Sequence, residues 1–340
     1  MVPNTEKSTI ADVFARQEVS FAKKGIWIAL FSAALWGIYA VIISLAYGFV
    51  PLNTEGTSLL TIPIVVGALH ELAAFLVFTF RNGKAGKLPE YLRAVRTVPG
   101  KAVLLGGIVG GPFALTCSMA GILFAGPAYS LAITSLYPVI GALLAVLFLK
   151  EKTNLRFWIG ILCCVLGGTV LGFSHPDGSY PHFYLGILFS LLAAFGWGAE
   201  GTIGAFGTDT LDPNVSVGLR NCASTFVYLV LVPIFGGTKI FLDAIFLHPQ
   251  AFGMVALAAL AGSSSLWYWY IAFGMTGVSR AMAINSTYSL WGIVFTLFLS
   301  LTGAAHFTLN GQLAAGVAIM VVGIILVVAN PKELLRLRNN

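Results

Sequence analysis

Long apolar stretches separated by short polar turns run through almost the whole chain. Ten stand out, at 25–49, 58–80, 102–124, 127–149, 156–173, 184–206, 215–235, 252–274, 281–301 and 312–329. Each is long enough to cross the hydrocarbon core of a bilayer as a helix. A transmembrane barrel would instead show short segments of alternating polarity, and none of these alternates. The pattern predicts an all-α membrane protein with ten transmembrane helices.

Composition agrees, since 58% of the 340 residues are hydrophobic and 9% are charged, against roughly 25% charged in soluble domains. The net charge of +6 reflects topology rather than a nucleic-acid footprint. All but two of the 19 lysines and arginines fall on one side of the predicted membrane. Lys239 stands on the other side and Arg220 lies inside a span. The positive-inside rule then places both termini in the cytoplasm. The four cysteines all lie in spans, so no disulfide framework is implied.

The chain repeats itself. Shifted by 151 residues, Gly111 meets Gly262, Gly126 meets Gly277, Ser135 meets Ser286, Tyr137 meets Tyr288 and Gly141 meets Gly292. Shifted by 161, Trp36-Gly37 meets Trp197-Gly198. Two five-helix units are predicted, at 25–173 and 184–330, joined by an external linker at 174–183. Tails at 1–24 and 331–340 are assigned to the cytoplasm. An odd number of helices per unit makes the repeats inverted, a transporter architecture with its site near the midplane where the halves meet.

Local signals add detail. Thr9 to Asp12 reads as a weak capping box opening a short surface helix, or the tail is disordered. A short helix is expected near Pro89–Val95. Gly106, Gly107, Gly110 and Gly111, and Gly168 with Gly172, mark close helix contacts. Pro112 and Pro138 are placed to bend or break their spans.

Four ionisable residues fall inside spans: His70, Glu71, Glu200 and Arg220. Such residues are costly in a bilayer and usually functional. Glu200 suits a counter-ion for a cationic substrate or a proton carrier, and Glu71 is a second proton-coupling candidate. Glu71 can equally pair with Arg220, and His70 reads as a packed residue. Aromatic rings at membrane depth form the second element: Trp36, Tyr39, Tyr137, Trp197, Trp269, Tyr288 and Trp291. Rings around a cavity hold a quaternary ammonium by cation–π attraction. With Glu200, these eight residues are the candidate substrate-binding set. No P-loop, dinucleotide fingerprint, nucleophile elbow or metal motif occurs, so neither an enzyme nor a cofactor or metal is expected.

Gly126-Pro127-Ala128-Tyr129-Ser130, the span closing on Leu147 to Lys152, and the repeated ends of spans 4 and 9 resemble the drug/metabolite transporter superfamily, EamA type. Trp197 to Gly201 and Ala281 to Ser289 are similar to LicB-type choline transporters. Leu301 to Ala305 departs from the family's acidic ending of the second repeat. The resemblance implies uptake of choline coupled to protons, with Trp36, Tyr137, Trp197, Trp269, Tyr288 and Glu200 around the pocket. The expected partners are a small organic cation, protons and the lipid bilayer, in the plasma (inner) membrane, with monomer and homodimer both open. Two other functions fit the chain: export of amino acids or aromatic metabolites on the same scaffold, and a membrane subunit that binds without transporting.

Overall fold

The computed structural model describes residues 10–54, 56, 58–149, 155–172, 180–208, 210–276, 278–303 and 309–328. Among them every regular element is helical. Seven helices are long and apolar enough to cross a membrane, and three shorter apolar helices accompany them at Leu155–Leu171, Tyr288–Leu301 and Gly311–Val327.

Helix α1, Ile10–Ala46, begins well before the predicted span and runs on without a break, so residues 10–24 form no separate surface helix. The capping residue Thr9 lies outside the described residues. Helix α2 spans Thr61–Lys84, and α3, Leu88–Ala94, is the short helix expected in the basic loop. The third apolar stretch is α4, Val98–Ile108, a π-helical segment Val109–Leu115, and α5, Thr116–Ala125. Pro112 sits inside the π segment, where its missing N–H fits a widened ladder.

The fourth stretch is two helices, α6, Pro127–Thr134, and α7, Tyr137–Leu149. The break falls at Ser135–Leu136, just before Pro138, which lacks the N–H that would bond the Thr134 carbonyl. Helices α8, Leu155–Gly172, α9, Phe183–Thr208, and α10, Pro213–Ile234, follow. A short helix not foreseen from the sequence, α11, Thr238–Phe246, lies before α12, Pro249–Thr276. The ninth stretch is again split, into α13, Val278–Asn285, and α14, Tyr288–Leu301; α15, Gly311–Val328, ends the described chain. The linker at 174–179, the segment 150–154, Ala304 and Ala305, and the C-terminal tail lie outside the described residues.

Helix α1 packs on α12 and α14, while α9 packs on α4, α5 and α7; α2 pairs with α10, and α8 with α15. The last pair meets through small residues. A side chain at Gly160 or Gly167 would run into α15 backbone, whereas one at Gly168 would meet nothing within 4 Å. The expected Gly168 contact is therefore displaced by one residue to Gly167, about 100° around the helix.

At one end of the α2–α10 pair, Lys87 Nζ donates to Asp212 at 2.7 Å, and Asn82 Nδ2 donates to Asn214 O at 2.9 Å. Asp212 also caps α10 by accepting from Asn214 N at 2.8 Å. Burial opposes the charged form of Asp212, but Lys87 and Asn214 outweigh it and hold the carboxyl below its ordinary range.

Candidate functional site

Every ionisable residue predicted inside a span comes to one place. Trp197 and Glu200 are three apart on α9, so they share a helix face. Arg220 projects from α10 and Glu71 from α2. Arg220 Nε donates to Glu200 Oε1 at 3.0 Å, and its Nη1 donates to Glu71 Oε1 at 2.5 Å. The cluster is buried, with Glu71 at 0%, Glu200 at 4% and Arg220 at 5% exposure. The expected Glu71–Arg220 pair is present, and Glu200 joins it. Two carboxylates thus meet one guanidinium, which leaves a net negative charge when both are ionised.

The span-3 glycines make room for this cluster. A Cβ at Gly110 would collide with the Glu200 carboxylate, and one at Gly107 would sit 2.8 Å from the Arg220 carbonyl oxygen. One at Gly111 would strike Ser224 on α10. Their spacing is thus close packing around buried charge rather than a plain helix seam. Trp197 Nε1 donates to Gly110 O at 3.1 Å, tying the same segment to the ring that faces the cavity.

A cavity of about 590 Å³, solvent-open space included, lies against the cluster. Glu71, Glu200 and Arg220 form its charged wall, and Trp36, Trp197, Tyr137, Trp269 and Tyr288 supply its rings. His70, Asn221, Ser263, Ser265 and Asn285 add polar groups, while Leu115, Gly262 and Leu266 complete the lining. The repeated tryptophans meet edge to face, with centroids 5.3 Å apart and planes at 81°. Tyr137 and Tyr288, the repeated tyrosines, lie nearly parallel, 11° between planes and 6.4 Å between centroids. Each opens the second half of a broken helix, just past the break at Ser135–Leu136 or Ser286–Thr287.

A buried network holds this aromatic wall. Ser32 and Ser265 each donate to the other's carbonyl at 2.8 Å, linking α1 to α12. Asn285 Nδ2 donates to Ser32 Oγ at 2.9 Å, and Tyr137 OH donates to Asn285 Oδ1 at 3.3 Å. Tyr288 OH reaches Thr134 Oγ1 at 3.2 Å.

Two candidates do not reach the cavity. Tyr39 is fully buried behind Trp36, its ring between Trp36 and His70 and its hydroxyl 3.7 Å from Met119 Sδ. Trp291 is 37% exposed and stacks on Phe295 at 5.9 Å, while its Cβ abuts Gly37. Spacing does not decide this: Trp36 and Tyr288 line the cavity, while Tyr39 packs inward against His70 and Trp291 lies against Gly37 of α1. Sequence reasoning passed over Asn221, Asn285, Ser32 and Ser265, which carry no charge.

A bundle of apolar helices around a buried charged and aromatic cavity defines the class, a multi-pass helical membrane protein. Residues 23–173 match the EamA-like transporter family, which belongs to the drug/metabolite transporter superfamily. The chain is also 28% identical over 190 residues to Protein LicB of Haemophilus influenzae, an alignment covering 56% of this chain and 63% of that protein. The match therefore spans less than two thirds of that relative. A solved crystal structure superposes with a TM-score of 0.58 at 18% identity, over 92% of this chain and 99% of its own, which speaks for the fold.

Proposed function

We propose that the protein is a secondary active transporter of choline or a similar small quaternary ammonium, working by alternating access in the plasma membrane and coupled to protons. The observation that carries this reading is the charge balance of the cavity: two carboxylates share one guanidinium beneath a wall of aromatic rings. A cation there gains both from the surplus carboxylate and from the ring faces. A proton on Glu200 or Glu71 would compete for the same charge, which is what exchange or coupling needs.

The proposed architecture is ten spans in two inverted repeats, with both termini cytoplasmic. The seven long and three shorter apolar helices support the count. Reciprocal packing supports the symmetry. Gly37 of the first half abuts Gly292 of the second, and Gly198 of the second abuts Gly141 of the first. Helices α6–α7 and α13–α14 are broken at matching places, and discontinuous helices at a repeat interface suit a substrate site.

One observation favours the rival reading, export of amino acids: Arg220 on the cavity wall could receive a carboxylate. Its Nε and Nη1 are already engaged by Glu200 and Glu71, so such a substrate must displace one of them. A thermal-shift panel separates the two. Choline should stabilise the purified protein while neutral amino acids leave it unchanged, and the reverse pattern would transfer the site to the rival.

A further inference from the structure

The cavity has polar atoms that neither the ion-pair cluster nor the Ser32–Asn285 network uses. His70 lines it from α2 at 4% exposure, and neither of its ring nitrogens has a hydrogen-bond partner among the described residues. Its Nδ1 stands 3.8 Å from Glu71 Oε1, beyond hydrogen-bond reach. Asn221, 1% exposed on α10, accepts from Arg220 Nη1 at 3.4 Å through Oδ1, while its Nδ2 is left without a partner. Buried polar groups in folded proteins are nearly always satisfied, and each exception calls for an explanation. His70 and Asn221 are among several such exceptions on this cavity lining, and theirs have a common explanation, a partner that arrives with the ligand.

A second residue lets α12 pack close to His70. A side chain at Gly262, itself on the cavity wall, would bring Cβ to 3.1 Å from His70 Nε2. Glycine at this position keeps a side chain of α12 from crowding that buried nitrogen. A neutral imidazole offers one donor and one acceptor, and the Asn221 amide offers a donor. The ligand group that answers both is a hydroxyl, which donates once and accepts twice.

We propose that His70 and Asn221 form a hydroxyl-reading subsite, so that the site selects quaternary ammonium alcohols among quaternary ammonium ions. The proposal rests on the reading of the cavity as an organic-cation site. The ammonium lies among the rings and carboxylates, and the hydroxyl lies at His70 and Asn221. A methyl group in the hydroxyl's place leaves both buried groups unanswered. A carboxylate there meets Glu71 beside His70 and is repelled.

The test is isothermal titration of the purified full-length protein with choline, with propyltrimethylammonium (a methyl in place of the hydroxyl) and with glycine betaine. Choline should bind about tenfold or more tightly than propyltrimethylammonium, with betaine weakest. His70→Phe and Asn221→Leu should each shrink the choline preference to about threefold or less while still binding propyltrimethylammonium, which also reports that the variant is folded. Equal binding of choline and propyltrimethylammonium by the unaltered protein overturns the subsite and leaves the cation reading standing. Full preference retained in both variants overturns the assignment of these two residues. Binding of neither cation overturns the cation reading and the subsite with it. If a variant fails to fold, the comparison on the unaltered protein still decides.

Discussion

A guanidinium buried between two carboxylates is held by both, and removing any one of the three has an unequal effect. Loss of Arg220 strands Glu71 and Glu200 together at membrane depth, whereas loss of either carboxylate leaves a single ion pair intact. Breaking a buried pair by deleting one partner typically costs about 3–5 kcal/mol. Arg220→Met is therefore expected to lower the thermal stability of the detergent-purified protein far more than Glu71→Gln. Equal melting temperatures for the two variants would show that the carboxylates sit protonated and that the cluster is a neutral hydrogen-bonded one. This part of the site was half legible in the sequence. Charges inside apolar runs are conspicuous, so Glu71, Glu200 and Arg220 stood out. Their three-way meeting was not visible, because it depends on how α2, α9 and α10 are rotated about their axes. The orientation of α1 and α14 likewise keeps Tyr39 and Trp291 off the wall, and no ring count along the chain reveals it.

At the scale of elements, glycine spacing governs how closely helices approach, and adjacent glycines are not equivalent. A Cβ at Gly167 would lie 2.7 Å from the Gly316 carbonyl oxygen, while the space beside Gly168 is open. Gly167→Ala should cost about 1–3 kcal/mol from overpacking against backbone that cannot yield. Gly168→Ala should stay within about 0.5 kcal/mol of the parent. Unfolding of the two variants in mixed micelles checks this, and a larger loss for Gly168→Ala would mean that α8 is turned the other way. The sequence placed nearly every long helix because apolar length is a strong signal. It missed α11, whose Phe241 and Ala244 alone are buried, because so short an amphipathic helix between spans reads as a loop. It foresaw breaks near Pro112 and Pro138, yet the matching break between α13 and α14 has no proline. There the pattern shared with Ser135 and Tyr137 was the usable clue.

The whole molecule brings its repeated features to one centre. Trp36 and Trp197 touch, Tyr137 and Tyr288 face each other, and the unrepeated charges Glu71, Glu200 and Arg220 lie beside them. On this account the duplicated scaffold supplies aromatic surface from both halves, and the departures from symmetry supply the charge. The central claim is that this cavity both binds a small organic cation and carries it across the membrane. Counterflow in proteoliposomes tests it most directly: vesicles loaded with unlabelled choline are diluted into a trace of labelled choline. The account predicts transient accumulation of label above equilibrium in vesicles holding the unaltered protein, and strongly reduced accumulation with Glu200→Gln. Stoichiometric choline binding with no accumulation by the unaltered protein would contradict it, and would make the chain a membrane protein that binds the cation without moving it.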